Sequence, residues 1–183
     1  QAHLCTHDIE VYPNYFGNTV KQRSDGSVKV FRIGQVEDVV YNDLEEMVVY
    51  YSDRSRWFIG YNSIHYDDRI LNMLITEFKS LIKLTALAIA QRIKEFSDSI
   101  IDGDDKTYKW DIPFNRLDMM KMGIRGNVQK ALKLMAVNLK YPRIQDLPFD
   151  VDRVLKLADI DHLEEYNLDD VEITDQLYDK FQG

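Results

Sequence analysis

Cysteine is all but missing from this chain: Cys5 stands alone. One thiol cannot close an internal disulfide and cannot supply a multi-cysteine zinc site. A reducing, cytoplasmic setting is therefore the expectation. Long apolar runs are missing too. None approaches the roughly 20 residues that a membrane span needs, so no membrane association is expected. The opening "QAHLCTHD" lacks a basic-then-apolar leader. Nor do basic residues dominate: 23 Lys and Arg against 31 Asp and Glu give a net charge of −8. That balance argues against a module that grips nucleic acid by bulk electrostatics. It leaves room for an enzyme whose carboxylates are neutralised by metal ions. There is no internal repeat and no low-complexity segment.

What is present suits one α/β domain. A length of 183 residues is enough to bury a core, and 45% hydrophobic with 30% charged residues is the composition of a soluble globular protein. The chain starts without Met and stops at "KFQG", as a piece of a longer polypeptide would. "HLCTHDIEVY", "YFGNTVKQ" and "GSVKVFRIG" read as three antiparallel strands, the last after the turn "RSDGS". "DLEEMVVYYSD" reads as a short helix with Asp43 placed to cap it. "RWFIGYN" is a buried strand and "DDRILNMLI" a helix. Residues 79–106 hold a longer helical stretch and an acidic loop, expected to be an insertion in the pattern. "FNRLDMMKM" suits another strand, "NVQKALKLMAVNL" a helix, and "KYPRIQDLPFDV" a proline-punctuated connection. A long helix from about Asp161 to Phe181 closes the chain. This order implies a mixed sheet.

Three acidic groupings need explaining. Asp8 and Glu10 lie two apart on the first strand, which puts both side chains on one face. The surrounding residues are apolar, so both carboxylates are costly there unless hydrated, protonated or paired with a cation. A strand end in water would also satisfy Asp8. In "GYNSIHYDDRIL", Asp67 and Asp68 open a helix, where the helix dipole favours an acid. That accounts for one aspartate and leaves Asn62 and Tyr66 just upstream, at a strand end where α/β proteins build sites. In "YNLDDVEITDQLY", Tyr166 and Asp170 are four apart and share a helix face. Asp169 points about 100° away and is expected to stay solvated. Leu163, Tyr166, Val171, Ile173, Thr174, Leu177 and Tyr178 trace an inward stripe.

Taken in order, D-x-E, N-x4-D and Y-x3-D resemble the three exonuclease motifs of the DEDD superfamily, tyrosine subtype, as found in the proofreading domains of family B and related phage DNA polymerases. The matching segments are "HDIEVYPNYF", "GYNSIHYDDRIL" and "YNLDDVEITDQL". The stretch "RLDMMKM…LKLMAVNLKYPRIQDLP" is similar as well, so the likeness runs from about residue 4 to 180. It implies a ribonuclease H-like fold: a mixed five-stranded sheet, its first three strands antiparallel, flanked by helices. It also implies hydrolysis of phosphodiester bonds at DNA 3′ ends, with release of nucleoside 5′-monophosphates.

By the resemblance, Asp8, Glu10, Asp67 and Asp170 hold two divalent cations, Mg²⁺ or Mn²⁺, as hard oxygen ligands would. Two such cations about 3.5–4 Å apart can clamp the attacking and departing oxygens. Asp8 would bridge them, Glu10 and Asp170 would complete the more buried ion, and Asp67 would hold the second through water. Tyr166 would orient the attacking water. Asn62 and Tyr66 are the candidates for holding the terminal nucleotides, since an aromatic ring stacks on any base. Lys140 and Arg143 are candidates for the scissile phosphate. N-x4-D spacing selects Asp67 over Asp68, leaving Asp68 as a helix cap. His7 and His65 flank the motifs and read as structural.

The expected function is proofreading on a single-stranded or frayed DNA 3′ end, beside a polymerase domain in the same or another chain, in a bacterial or phage-infected host cytoplasm. No polymerase motif is present. A stand-alone trimming nuclease and a non-catalytic module that binds nucleic acid or docks a partner are the alternatives.

Overall fold

The computed structural model describes residues 3–61, 63–103, 111–119 and 148–182. Among them a six-stranded sheet runs β4-β3-β2-β1-β5-β6. Its strands are β1 (His3–Tyr12), β2 (Tyr15–Gln22), β3 (Val28–Val36), β4 (Val39–Asn42), β5 (Arg56–Gly60) and β6 (Asn115–Asp118). β1 to β4 pair antiparallel, whereas β5 and β6 run parallel to β1. The first three strands are antiparallel and the sheet is mixed, as expected; the parallel pair β5 and β6 completes it beside β1. The sheet nevertheless has six strands, not five. β3 and β4 are joined through Glu37 and Asp38, with Glu37 at φ 54°. A hairpin turn of that kind usually announces itself with Gly or Asn. Here the sequence carries neither, so β4 gave no signal.

The two faces of the sheet are covered differently. Cys5, Ile9 and Val11 of β1 join Phe16, Val20, Phe31 and Ile33 under α1 (Leu44–Ser52), α2 (Asp67–Thr76) and α4 (Ala86–Ile101). Tyr51 of α1 stacks on Phe58 of β5, with ring centroids 3.9 Å apart, a contact that adds to simple area burial. Residues 79–101, expected as one helical stretch, divide into the end of a short α3 (Phe78–Leu81) and α4, which begins where Thr85 Oγ1 accepts from the Ala88 N–H. Ile89 and Ile93 of α4 belong to the main core, so α4 covers the sheet. Asp43 does precede α1, but its carboxylate makes no helix cap. It accepts from the Arg32 N–H at 2.9 Å instead, tying the helix start to β3.

The opposite face carries one long helix, α5 (Leu157–Gln182), which begins four residues before the expected start. The expected inward stripe is buried throughout, from Leu163 to Tyr178. Its apolar contacts fall at two places. Ile160 and Leu163 pack with Tyr12 and Tyr15, while Ile173, Leu177 and Tyr178 pack with Ile59 and Met119. Between these clamps the helix crosses β1 and β2 with a mainly polar surface. Glu164 pairs with Arg32, and Lys21 bonds Glu172 at 2.9 Å and Asp175 at 3.0 Å. No described helix is long and apolar enough to cross a membrane. The sequence readings for "NVQKALKLMAVNL" and most of "KYPRIQDLPFDV" lie outside the described residues.

Candidate metal centre

β1 sets the site. Its even-numbered residues Thr6, Asp8, Glu10 and Tyr12 share one face. Across the β1–β2 ladder they stand opposite Lys21, Thr19, Gly17 and Tyr15. This is the face that α5 covers, and it puts Asp8 and Glu10 under the polar middle of that helix. Asp170 comes down from α5 to meet them: one carboxylate oxygen from each of Asp8, Glu10 and Asp170 lies within 4.8 Å of the others. Asp8 and Glu10 are half-buried and Asp170 is buried.

Tyr166, one turn before Asp170, is 7% exposed. Burial raises its phenol well above the usual range, and the neighbouring charges of Asp170, Glu10 and Asp8 reinforce the shift. The hydroxyl therefore keeps its proton at neutral pH, and it hydrogen-bonds Asp170. Asp169 does not behave as expected. It is 1% exposed rather than solvated, because α5 is packed over more of its circumference than a single inward stripe suggests.

Asp67 approaches from the other side. β1 pairs with β5 only from His3 to Thr6, and past that point the Ile9 N–H bonds the Asp67 carboxylate. The start of α2 thus takes the place of a neighbouring strand, beside the Asp8–Glu10 pair. Asp67 is not among the three carboxylates that converge within 4.8 Å. Burial, with Asp68 and Asp118 adding like charge, holds its carboxyl well above the ordinary range.

Asp68 is no exposed helix cap. It is 0% exposed and pairs with Arg116 at 3.1 Å. Burial outweighs that cation and pushes its carboxyl up to about 6. Asp118, at the end of β6, accepts from the Ile64 N–H at 3.1 Å. The β6 pair Arg116 and Asp118 thus anchors the 3₁₀ turn Ser63–His65 and the first turn of α2, which aims Asp67 at β1. Gly60 is needed for that approach, because a Cβ there would lie 2.6 Å from Ser63 Cβ and 3.3 Å from His7 Nε2.

Tyr66 is half-buried with its ring against the main core, and its hydroxyl meets Ser97 Oγ of α4 at 2.6 Å. Asn62, Lys140 and Arg143 lie outside the described residues. His7 is on the core face of β1. Its Nδ1 is 2.6 Å from the Tyr51 hydroxyl, which also accepts from Asn18 Nδ2 at 2.9 Å. Burial drives its imidazole down to about 3. It is therefore a neutral core residue, as its position suggests.

Sequence reasoning missed Asn167. Its amide lies between Thr19 Oγ1 and Asp8. Because Asp8 offers only acceptors there, the nitrogen is assigned toward Asp8, 2.9 Å from Oδ2 and 3.2 Å from the carbonyl, and the oxygen accepts from Thr19 Oγ1 at 2.9 Å. The available signal was its place three residues before Asp170, hence on the same helix face. Arg116 and Asp118 gave no such signal, because only the parallel pairing of β5 with β6 brings them to α2.

Three carboxylates this close repel one another unless a proton or a cation is shared. The donors are all oxygens, and the converging group holds no thiolate or imidazole. That donor set fits Mg²⁺ or Mn²⁺ rather than a softer ion.

No family model and no curated protein matches the chain. Among solved structures it is similar to a product-bound exonuclease I at 14% identity and TM-score 0.40, covering 97% of this chain and 42% of that one. It is similar to E. coli exonuclease I with a dT13 oligonucleotide at 13% identity and TM-score 0.37, covering 100% of this chain and 41% of that one. A third, the complex of ExoI with SSB-Ct, has 15% identity and TM-score 0.38, covering 97% and 40%. The chain spans about two fifths of the length of these structures.

Proposed function

We propose that this chain is a metal-dependent 3′→5′ exonuclease domain that hydrolyses phosphodiester bonds at single-stranded or frayed DNA ends, in proofreading for a polymerase domain of the same or another chain. The supporting observation is the meeting of Asp8, Glu10 and Asp170 within 4.8 Å, with the Tyr166 phenol against Asp170. The reading of DNA over RNA, and of proofreading over free-standing trimming, follows the motif resemblance.

Asp8, Glu10 and Asp170 would hold the divalent cations, with Asp67 beside them through water. Such ions, when bound, lower the pKa of a water ligand and offset charge on the phosphoryl oxygens. The protein's part is placement. Asp8 and Glu10 are fixed by the β1–β2 register, and Asp170 by the two apolar clamps on α5. Tyr166 is a protonated phenol that donates to Asp170 and orients the attacking water. Tyr66, its hydroxyl braced by Ser97, would stack only the part of its ring left clear of the core on a terminal base. Asn62 bonds base or sugar, and Lys140 or Arg143 meets the scissile phosphate.

The test is incubation with 5′-labelled single-stranded DNA, and with RNA of the same sequence, in Mg²⁺ or Mn²⁺. The expected result is a ladder shortening from the 3′ end of the DNA and abolished by EDTA. Binding without shortening would overturn the nuclease reading in favour of a docking module.

A further inference from the structure

We infer that Asn167 is a positioning residue for the metal site, holding the Asp8 carboxylate through a relay that begins at Thr19. The inference rests on the nuclease reading and adds to it a residue outside the three motifs.

Thr19 is the cross-strand partner of Asp8 in the β1–β2 ladder, on the face that α5 covers. Its hydroxyl lies 2.9 Å from one end of the Asn167 amide, and the other end faces the Asp8 carboxylate and carbonyl, both acceptors. The amide nitrogen is therefore assigned to Asp8, and the oxygen accepts from Thr19. That nitrogen reaches Asp8 Oδ2 at 2.9 Å and the Asp8 carbonyl at 3.2 Å. One side chain thus grips both the carboxylate and the backbone of the same residue. Asn167 is 2% exposed and Thr19 is 1% exposed. In such a place an amide must find its partners inside the protein, because water does not reach it.

The consequence is geometric. A carboxylate on a short side chain turns freely about its last bond, and each extra orientation dilutes the one that suits a cation. The amide removes that freedom before an ion arrives. Partners of this kind behind a ligating carboxylate are worth roughly 10–100-fold in metal affinity or activity. Thr19 braces the far end of the amide, and so acts on Asp8 only through Asn167.

The experiment compares the parent, Asn167→Leu, Thr19→Val and the double variant by Mn²⁺ titration without DNA and by steady-state cleavage. Asn167→Leu is expected to bind Mn²⁺ about 10–100-fold more weakly and to lose a similar factor in kcat. Its KM for DNA should stay unchanged, a split that general loosening of the fold would not give. Thr19→Val should lose less, and the double variant should match Asn167→Leu, because Thr19 works through the amide. In the metal-free parent the Asn167 side-chain amide protons should exchange slowly, and they should shift in Asp8→Ala; this readout survives if the leucine variant folds poorly.

Parent-like Mn²⁺ affinity in a folded Asn167→Leu, fully additive losses, or fast-exchanging amide protons would each overturn the relay while leaving the nuclease reading intact. A parent that neither binds Mn²⁺ nor shortens DNA would overturn both.

Discussion

The two faces of β1 are one residue apart in sequence and opposite in chemistry. Cys5, His7, Ile9 and Val11 point into an apolar layer under three helices, where even the histidine is held neutral. Thr6, Asp8, Glu10 and Tyr12 point at one helix, across a seam of ion pairs and hydrogen bonds. The first face supplies stability and the second gathers the carboxylates proposed as ligands. A costly acidic cluster is tolerated because α5 is fastened at both ends by apolar contacts, so its polar middle need not hold the helix down. Rigid placement of ligands over a packed layer is what a metal centre requires.

The separation of roles can be broken most sharply at Asp8. Asp8→Ala should lower turnover by several orders of magnitude while the far-ultraviolet ellipticity of the parent is kept. A variant that unfolds, yet whose folded fraction turns over normally, would move Asp8 from the ligand face to the stability face. Tyr166→Phe should lose less, about 10²–10⁴-fold, as expected for a hydroxyl that positions the attacking water rather than holding a cation. Equal losses in Tyr166→Phe and Asp170→Ala would contradict that order.

On the other face the effect should reverse. Phe58→Ala removes the ring stacked on Tyr51 and should cost about 3–5 kcal/mol in denaturant unfolding, with activity per folded molecule close to the parent's. A large fall in the kcat of folded Phe58→Ala would show that the two faces are not separable.

The smallest expected effect is read with pH. Folded His7 is held neutral down to about pH 3, against 6.5 when unfolded. The unfolded chain therefore binds a proton that the folded chain refuses, and stability is lost as pH falls below 6.5. His7→Gln keeps an acceptor for Tyr51 but does not titrate. The parent should lose about 2 kcal/mol relative to this variant between pH 7 and pH 5. Urea midpoints of the two proteins at both pH values check this, and parallel shifts would mean that His7 is charged in the core.

Much of this was legible beforehand. Period-two spacing put Asp8 and Glu10 on one face, and period 3.6 put Tyr166 beside Asp170. The three antiparallel strands, the buried strand Arg56–Gly60 and the long final helix all announced themselves through their apolar patterns. What escaped notice lacked a local pattern. β4 follows a turn whose residues carry no turn signature. Asp68 and Asp169 looked like surface acids because charge normally implies solvent; both are buried by neighbours distant in sequence.

By itself, the sequence determined which side chains share an element's face, because helix and strand periods are properties of the backbone and apply wherever the element lies. It also restricted the ligand chemistry to oxygen, through a single cysteine and scattered histidines. Only the tertiary structure decided that β1 and α5 cross at Asp8, Glu10 and Asp170, and that Arg116 reaches Asp68 and Asn167 reaches Asp8. Those meetings depend on strand order and helix docking, which are fixed by burial summed over the whole core; short of the motif resemblance, no local pattern at Asp8, Glu10 or Asp170 foretells them.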